Sequence, residues 1–130
     1  MKLSGFTFMR NTSSLYYPFL ESIQSILPMV DEFVIAIGDN APGDQTENLL
    51  QTLQSEKIKL IHTIWDLEKF KKGTVYAQQT DLAKAACTGD WLFYLQSDEL
   101  IHEQYHKTLT NVCLQYLKDL ETEGFLFRYK

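Results

Sequence analysis

Two adjacent carboxylates, Asp98 and Glu99, follow the apolar run Trp91-Leu92-Phe93-Tyr94-Leu95, separated from it by Gln96-Ser97. Hard cations take oxygen ligands, and Mg²⁺ is commonly held by one or two carboxylates together with substrate phosphates. The pair could hold a metal against a phosphorylated ligand. It could equally be the acidic start of a helix, where negative charge suits the dipole. Other polar residues also stand where apolar runs end. They are Arg10 and Asn11 after residues 3–9, Asp39 and Asn40 after residues 33–37, and Asp66 after residues 58–65. No GxxxxGK[ST] loop is present, and no GxGxxG follows the first apolar run. A phosphorylated ligand would need another source of charge compensation, for which a divalent metal held by carboxylate oxygens is the obvious one; Lys71 and Lys72 read as a solvated charge run. His102 and His106 are four residues apart but have no evident third ligand, and read as a helix surface.

The elements that must position these residues are legible from hydrophobic spacing. Residues 3–9 read as a strand. Tyr16, Phe19, Leu20, Ile23 and Ile26 mark a helix, with Ser13 or Ser14 as its cap and Pro18 in its first turn. Phe33-Val34-Ile35-Ala36-Ile37 is apolar throughout, as in a strand covered on both faces. Asp44 and Glu47 form a plausible capping box for a helix carrying Leu49, Leu50 and Leu53. Residues 58–65 read as a third strand. Val75, Gln79, Leu82 and Ala86 mark a helix closed by Gly89. Residues 91–95 form a fourth strand, Tyr105, Leu109, Val112, Tyr116 and Leu120 a fourth helix, and residues 124–129 a fifth strand. The order βαβαβαβαβ predicts an α/β fold, a Rossmann-like three-layer sandwich with a mostly parallel sheet and right-handed crossovers. Ligands of such sheets bind beyond the carboxyl ends of the strands, where strand order reverses. If the reversal lies between the first and fourth strands, Asp39 and Asp98 flank one crevice.

The chain has 130 residues, of which 45% are hydrophobic and 22% charged, which suits a single globular domain over residues 1–130. A net charge of -5 argues against nucleic acid as a partner. Cys87 and Cys113 belong to no metal or redox spacing and read as buried free thiols. No apolar stretch is long enough to span a membrane, and residues 1–5 lack a signal-peptide core. The cytoplasm, or the cytoplasmic face of a membrane, is the expected location.

Four segments also match a known pattern in order. Met9-Arg10-Asn11 is similar to a polar exit from a first strand. Gly38-Asp39-Asn40…Gly43-Asp44-Gln45-Thr46 resembles "DDGSxDxT" with a small insertion. Gly73…Ala77-Gln78-Gln79 resembles "GxxxARN", and residues 88–99, TGDWLFYLQSDE, resemble "xGDYIxFLDxDD". Over nearly the whole chain the sequence resembles the nucleotide-sugar-binding half of family 2 glycosyltransferases, which have the GT-A fold. The resemblance implies transfer of a sugar from a nucleotide-diphospho-sugar, with a UDP-sugar favoured, to a glycan, lipid or protein acceptor. It implies nucleotide-sugar binding by Arg10, Asn11, Asp39, Gln78, Gln96 and Asp98, with Asp39 at the nucleobase. It also implies Mn²⁺ or Mg²⁺ held by Asp98 and Glu99. Gln96 stands where the pattern has its first metal-binding acid, and Gln78 where it has arginine, so Arg10, Lys71 or Lys72 would have to supply positive charge. The family's general base and acceptor site lie in a second half, so the chain is expected to be a donor-binding fragment, with the base beyond Lys130. Two other readings compete. One is a non-catalytic nucleotide-binding or interaction module on the same fold. The other is a receiver-like phosphoacceptor domain, which needs an acid cluster where this chain has Arg10-Asn11.

Overall fold

Glu32–Ile37 is buried at every position because helices cover the sheet on both sides of it. The computed structural model describes residues 1–128. Its elements are β1 (Leu3–Met9), α1 (Phe19–Ile26), β2 (Glu32–Ile37), α2 (Thr46–Gln51), β3 (Ile58–His62), α3 (Thr74–Ala85), β4 (Trp91–Tyr94) and α4 (His106–Gln115), with a 3₁₀ turn at Glu103–Tyr105 before α4. The strands are all parallel, in the order β3-β2-β1-β4. Strand order therefore reverses between β1 and β4. Receiver-like sheets instead follow the order 2-1-3-4-5, with the third strand beside the first. Here β3 pairs with β2, so that reading fails on topology.

Right-handed crossovers dictate the layers. The connections β1-α1-β2-α2-β3 advance in one direction and put their helices on one face. The return from β3 to β4 runs the other way and puts α3 on the opposite face. Phe19, Ile23, Ile26 and Leu50 accordingly pack with Leu3, Met9, Phe33, Ile35 and Ile37. Ala83 of α3 packs with Phe6, Val34 and Ala36. Each fully buried side chain of this kind contributes roughly 1.5–3 kcal/mol relative to its exposed state.

Local chemistry departs from the sequence reading in several places. Ser13 and Ser14 do not cap α1, because their backbone N–H groups donate to Thr46 Oγ1 (3.0 Å) and Asp44 Oδ2 (3.0 Å). The helix starts instead directly after Pro18, whose fixed φ suits an entry position. Asp44 does receive the Thr46 N–H (2.8 Å), but Glu47 pairs with His62 (2.6 Å), so no capping box closes. β3 ends at His62 rather than residue 65, because the chain turns so that Trp65 N–H reaches Asp39. Finally, residues 124–128 form no strand, and Tyr129 lies outside the described residues. The alternation there is used by side chains alone: Phe125 packs on Trp91 (5.3 Å) and Phe127 on Phe93 (5.4 Å). No helix among the described residues is long and apolar enough to cross a membrane.

Candidate functional site

Parallel pairing puts all four strand exits at one end of the sheet. β1 stays paired with β2 through Met9↔Ile37, but its last pair with β4 is Phe6↔Tyr94. Residues Thr7, Phe8 and Met9 therefore run past the end of β4. This is the reversal point at which open α/β sheets bind ligands.

The β1, β2 and β3 exits are tied together by polar residues. Asn11 adopts a left-handed backbone (φ 56), which asparagine tolerates better than most residues. Its N–H donates to Asn40 Oδ1 (2.7 Å), and its own Oδ1 accepts the Ala41 N–H (2.7 Å). The Asn11 side chain thus clamps two loops. Arg10 Nε donates to the Asp39 carbonyl (3.2 Å) and lies 3.2 Å from Asp39 Oδ1. Asp39 Oδ1 also accepts the Trp65 N–H (3.0 Å). The Trp65 amide does most to hold the Asp39 carboxyl below the usual carboxylate range. Burial opposes this, and Arg10 adds to the lowering. Asp39 is therefore an anion at neutral pH, and its side chain is 42% exposed.

Over this knot lies an aromatic box. The Trp65 indole meets Phe8 (5.9 Å) and the edge of Tyr76 (5.6 Å), while Arg10 Cζ sits 5.2 Å from the indole centroid. Gly38 makes room for it. A Cβ at Gly38 would come within 2.7 Å of Trp65 Nε1 and 3.2 Å of Arg10 Cβ. Gly38→Ala is expected to cost about 1–3 kcal/mol through overpacking and to displace the indole. A thermal melt would read the first effect and near-ultraviolet circular dichroism the second. An unchanged aromatic spectrum would contradict this packing.

At the β4 exit, residues 96–99 form a turn closed from both sides. Gln96 N–H donates to Glu99 Oε2 (2.9 Å), and Glu99 N–H donates to the Gln96 carbonyl (3.0 Å). Ser22 of α1 anchors the same carbonyl (3.0 Å). Glu99 thereby spends one carboxylate oxygen on its own turn. Asp98 is exposed. Tyr94, which sequence reasoning passed over as core, joins this group. Burial pushes its phenol up, hydrogen bonds with Thr80 and Gln96 pull it down, and the charges of Glu99 and Asp98 push it up. The signal was the strand alternation, which puts Leu92, Tyr94 and Gln96 on one face.

Other candidates have local work. Gln78 Oε1 accepts from Gln79 Nε2 (2.8 Å), and the buried Gln79 takes the Thr63 hydroxyl. Asp66 receives the Lys69 N–H within its loop (2.9 Å). Lys71 and Lys72 are exposed before α3. His102 accepts the Gln104 N–H (3.2 Å), whereas His106 bonds the Ser25 carbonyl (2.8 Å), so the two rings share no ligand. Among the described residues, no three His, Cys, Asp or Glu side chains cluster as a ready metal cage.

No protein-family model matches the sequence, and no curated protein matches it. Solved structures do. S. aureus TarS superposes with a TM-score of 0.65 at 16% identity, over 97% of this chain and 23% of TarS. The fold is GT-A-like. The 1-349 form of TarS in complex with UDP gives a TM-score of 0.61 at 19% identity, over 98% of this chain and 38% of that one. Its complex with UDP-GlcNAc gives 0.62 at 17%, over 98% and 37%. This chain thus spans 23% to 38% of these TarS chains.

Proposed function

We propose that the chain is the donor-binding part of a glycosyltransferase that takes a nucleotide-diphospho-sugar, with a UDP-sugar favoured. The observation that carries this reading is the reversal point itself: an ionised, half-exposed Asp39 stands on one side and Asp98 on the other, in a fold shared with a protein solved with UDP and UDP-GlcNAc. Asp39 would accept the imide N–H of the base, and Asn11 would hold the loops around it. Gln78 and Gln96 would meet the ribose or diphosphate as neutral hydrogen-bonding groups. Lys71 and Lys72 stand on the loop before α3 and are the available cations. The acceptor would be a glycan, lipid or protein. The general base would lie on residues outside this chain, whose fold matches only part of TarS. With two free cysteines, which suit a reducing compartment, we place the protein in the cytoplasm or at the cytoplasmic face of a membrane.

The residues fit a divalent ion only in company with the ligand. Gln96 brings no charge and Glu99 is partly committed to its turn, which leaves Asp98 as the principal protein ligand. Mg²⁺ or Mn²⁺ bound by one carboxylate and the donor phosphates meets this constraint. When bound, the ion supplies Lewis-acid neutralisation of the departing nucleoside diphosphate. Asp98 would hold it and the Ser22-anchored turn would keep Asp98 in place. Titration calorimetry should show little Mn²⁺ binding without nucleotide, and UDP affinity raised about tenfold or more by Mn²⁺. Asp98→Asn should erase that increment. UDP affinity indifferent to both the metal and Asp98 would remove the metal from the account. It would favour the second reading, a non-catalytic nucleotide-binding module, to which Gln96 already points.

A further inference from the structure

We propose that Trp65, acting through Arg10, is a specificity-determining positioning residue: the indole and the guanidinium stacked on it form the shelf on which the nucleobase lies beside Asp39. This rests on the donor-site reading above and names how that site selects its base.

Arg10 is held at two points. Its Nε is committed to Asp39, with both contacts at 3.2 Å, and its Cζ lies over the Trp65 ring, 5.2 Å from the centroid. These contacts commit the guanidinium to the β2 exit rather than to the β4 exit. Its side chain remains 28% exposed at the strand ends. Guanidinium planes stack on nucleobases, and such stacking is tolerant of base identity. Selectivity therefore comes from what the shelf holds the base against. Asp39 can only accept hydrogen bonds. Uracil presents an N–H at N3, whereas cytosine presents a bare acceptor at the same position, and a buried mismatch of two acceptors is costly.

The Trp65 indole in turn is held by packing and not by a hydrogen bond. Phe8, Tyr76 and the Cα of Gly38 surround it, and its buried Nε1 has no hydrogen-bond partner. Phenylalanine can replace it without breaking a hydrogen bond, while leucine removes the flat surface under Arg10. This contrast separates a positioning role from a merely structural one.

The test is titration calorimetry of UDP and CDP on the 130-residue chain and on Trp65→Phe, Trp65→Leu and Arg10→Lys. The wild type should prefer UDP at least about tenfold, and Trp65→Phe should stay within about threefold of it for both ligands. Trp65→Leu and Arg10→Lys should weaken UDP about tenfold and shrink the UDP-to-CDP ratio. Arg10→Lys, which keeps the charge and the aliphatic stem at a partly exposed position, serves where Trp65→Leu fails to fold. Wild-type affinity in these variants, or weaker binding at an unchanged ratio, overturns this inference and leaves the donor reading standing. No UDP binding by the wild type overturns both.

Discussion

Asp39→Asn is expected to lower UDP affinity by about ten- to a hundredfold and to raise CDP relative to UDP, with the fold intact. The charged hydrogen bond that Asp39 would make to the base is of a class worth roughly 1.5–3 kcal/mol, and each 1.4 kcal/mol is a factor of ten. Asparagine keeps an oxygen to accept the Trp65 N–H, so the β2 and β3 exits stay joined. What changes is the other position, where an N–H₂ donor replaces an acceptor. That donor opposes the uracil imide and suits cytosine N3. Calorimetry with both nucleotides reads the switch directly. An Asp39→Asn protein that binds UDP as the wild type does would show that Asp39 only organises the turn.

The second large effect lies at the opposite end of the sheet. Glu32 opens β2 with its carboxylate buried, and it accepts from Ser4 Oγ (2.5 Å), Thr88 N (2.7 Å) and Thr88 Oγ1 (2.8 Å). Lys59 pairs with it closely, and Lys2 stands at 3.6 Å. Burial pushes this carboxyl up, but Lys59, Ser4 and Thr88 together pull it well below the usual carboxylate range. Its folded pKa is depressed, so the stability it contributes is present above its unfolded value near 4.5 and drains away as pH falls below that. Glu32→Ala leaves the Ser4 hydroxyl and the Thr88 amide without their acceptor, at a cost of about 3 kcal/mol. For a chain of this size that is a fall of about 10 °C in Tm. Glu32→Gln should cost less and flatten the decline in Tm between pH 5 and pH 3. Melts across that range check both, and a Glu32→Gln protein with the wild-type acid slope would assign the pH dependence elsewhere.

Much of this arrangement was legible because period and position carry it. The apolar run 33–37 announced a strand covered on both faces, and the polar residues at strand ends marked the exits that the parallel sheet brings to one edge. Residues 124–129 misled for a physical reason. Alternation records which side chains share a face, and Phe125 and Phe127 do both meet rings of β4, but it does not record whether a backbone partner exists. The caps failed similarly. Ser13, Ser14 and Glu47 are competent capping residues, yet Asp44, Thr46 and His62 offered them partners distant in sequence. At the site, Asp39 could be singled out by its place after β2. The Arg10 stack on Trp65 could not, because it depends on Gly38 leaving space and on β3 stopping at His62. Glu99 beside Asp98 looked like a second metal ligand, but the turn of residues 96–99 uses its carboxylate to satisfy the Gln96 amide.

The carboxyl ends of β1, β2 and β4 are proposed above as a UDP-sugar donor site. Heteronuclear NMR of the isotope-labelled chain titrated with UDP in the presence of Mg²⁺ tests it most directly. Saturable shifts are expected at the amides of Arg10, Asn11, Asp39, Asn40 and Trp65 and of residues 96–99, together with a shift of the Trp65 indole N–H. Glu32, Thr88 and Gly89 at the far end of the sheet should stay still. No perturbation at saturating UDP, or shifts confined to the groove lined by Leu50, Gln54 and Leu60, would contradict it.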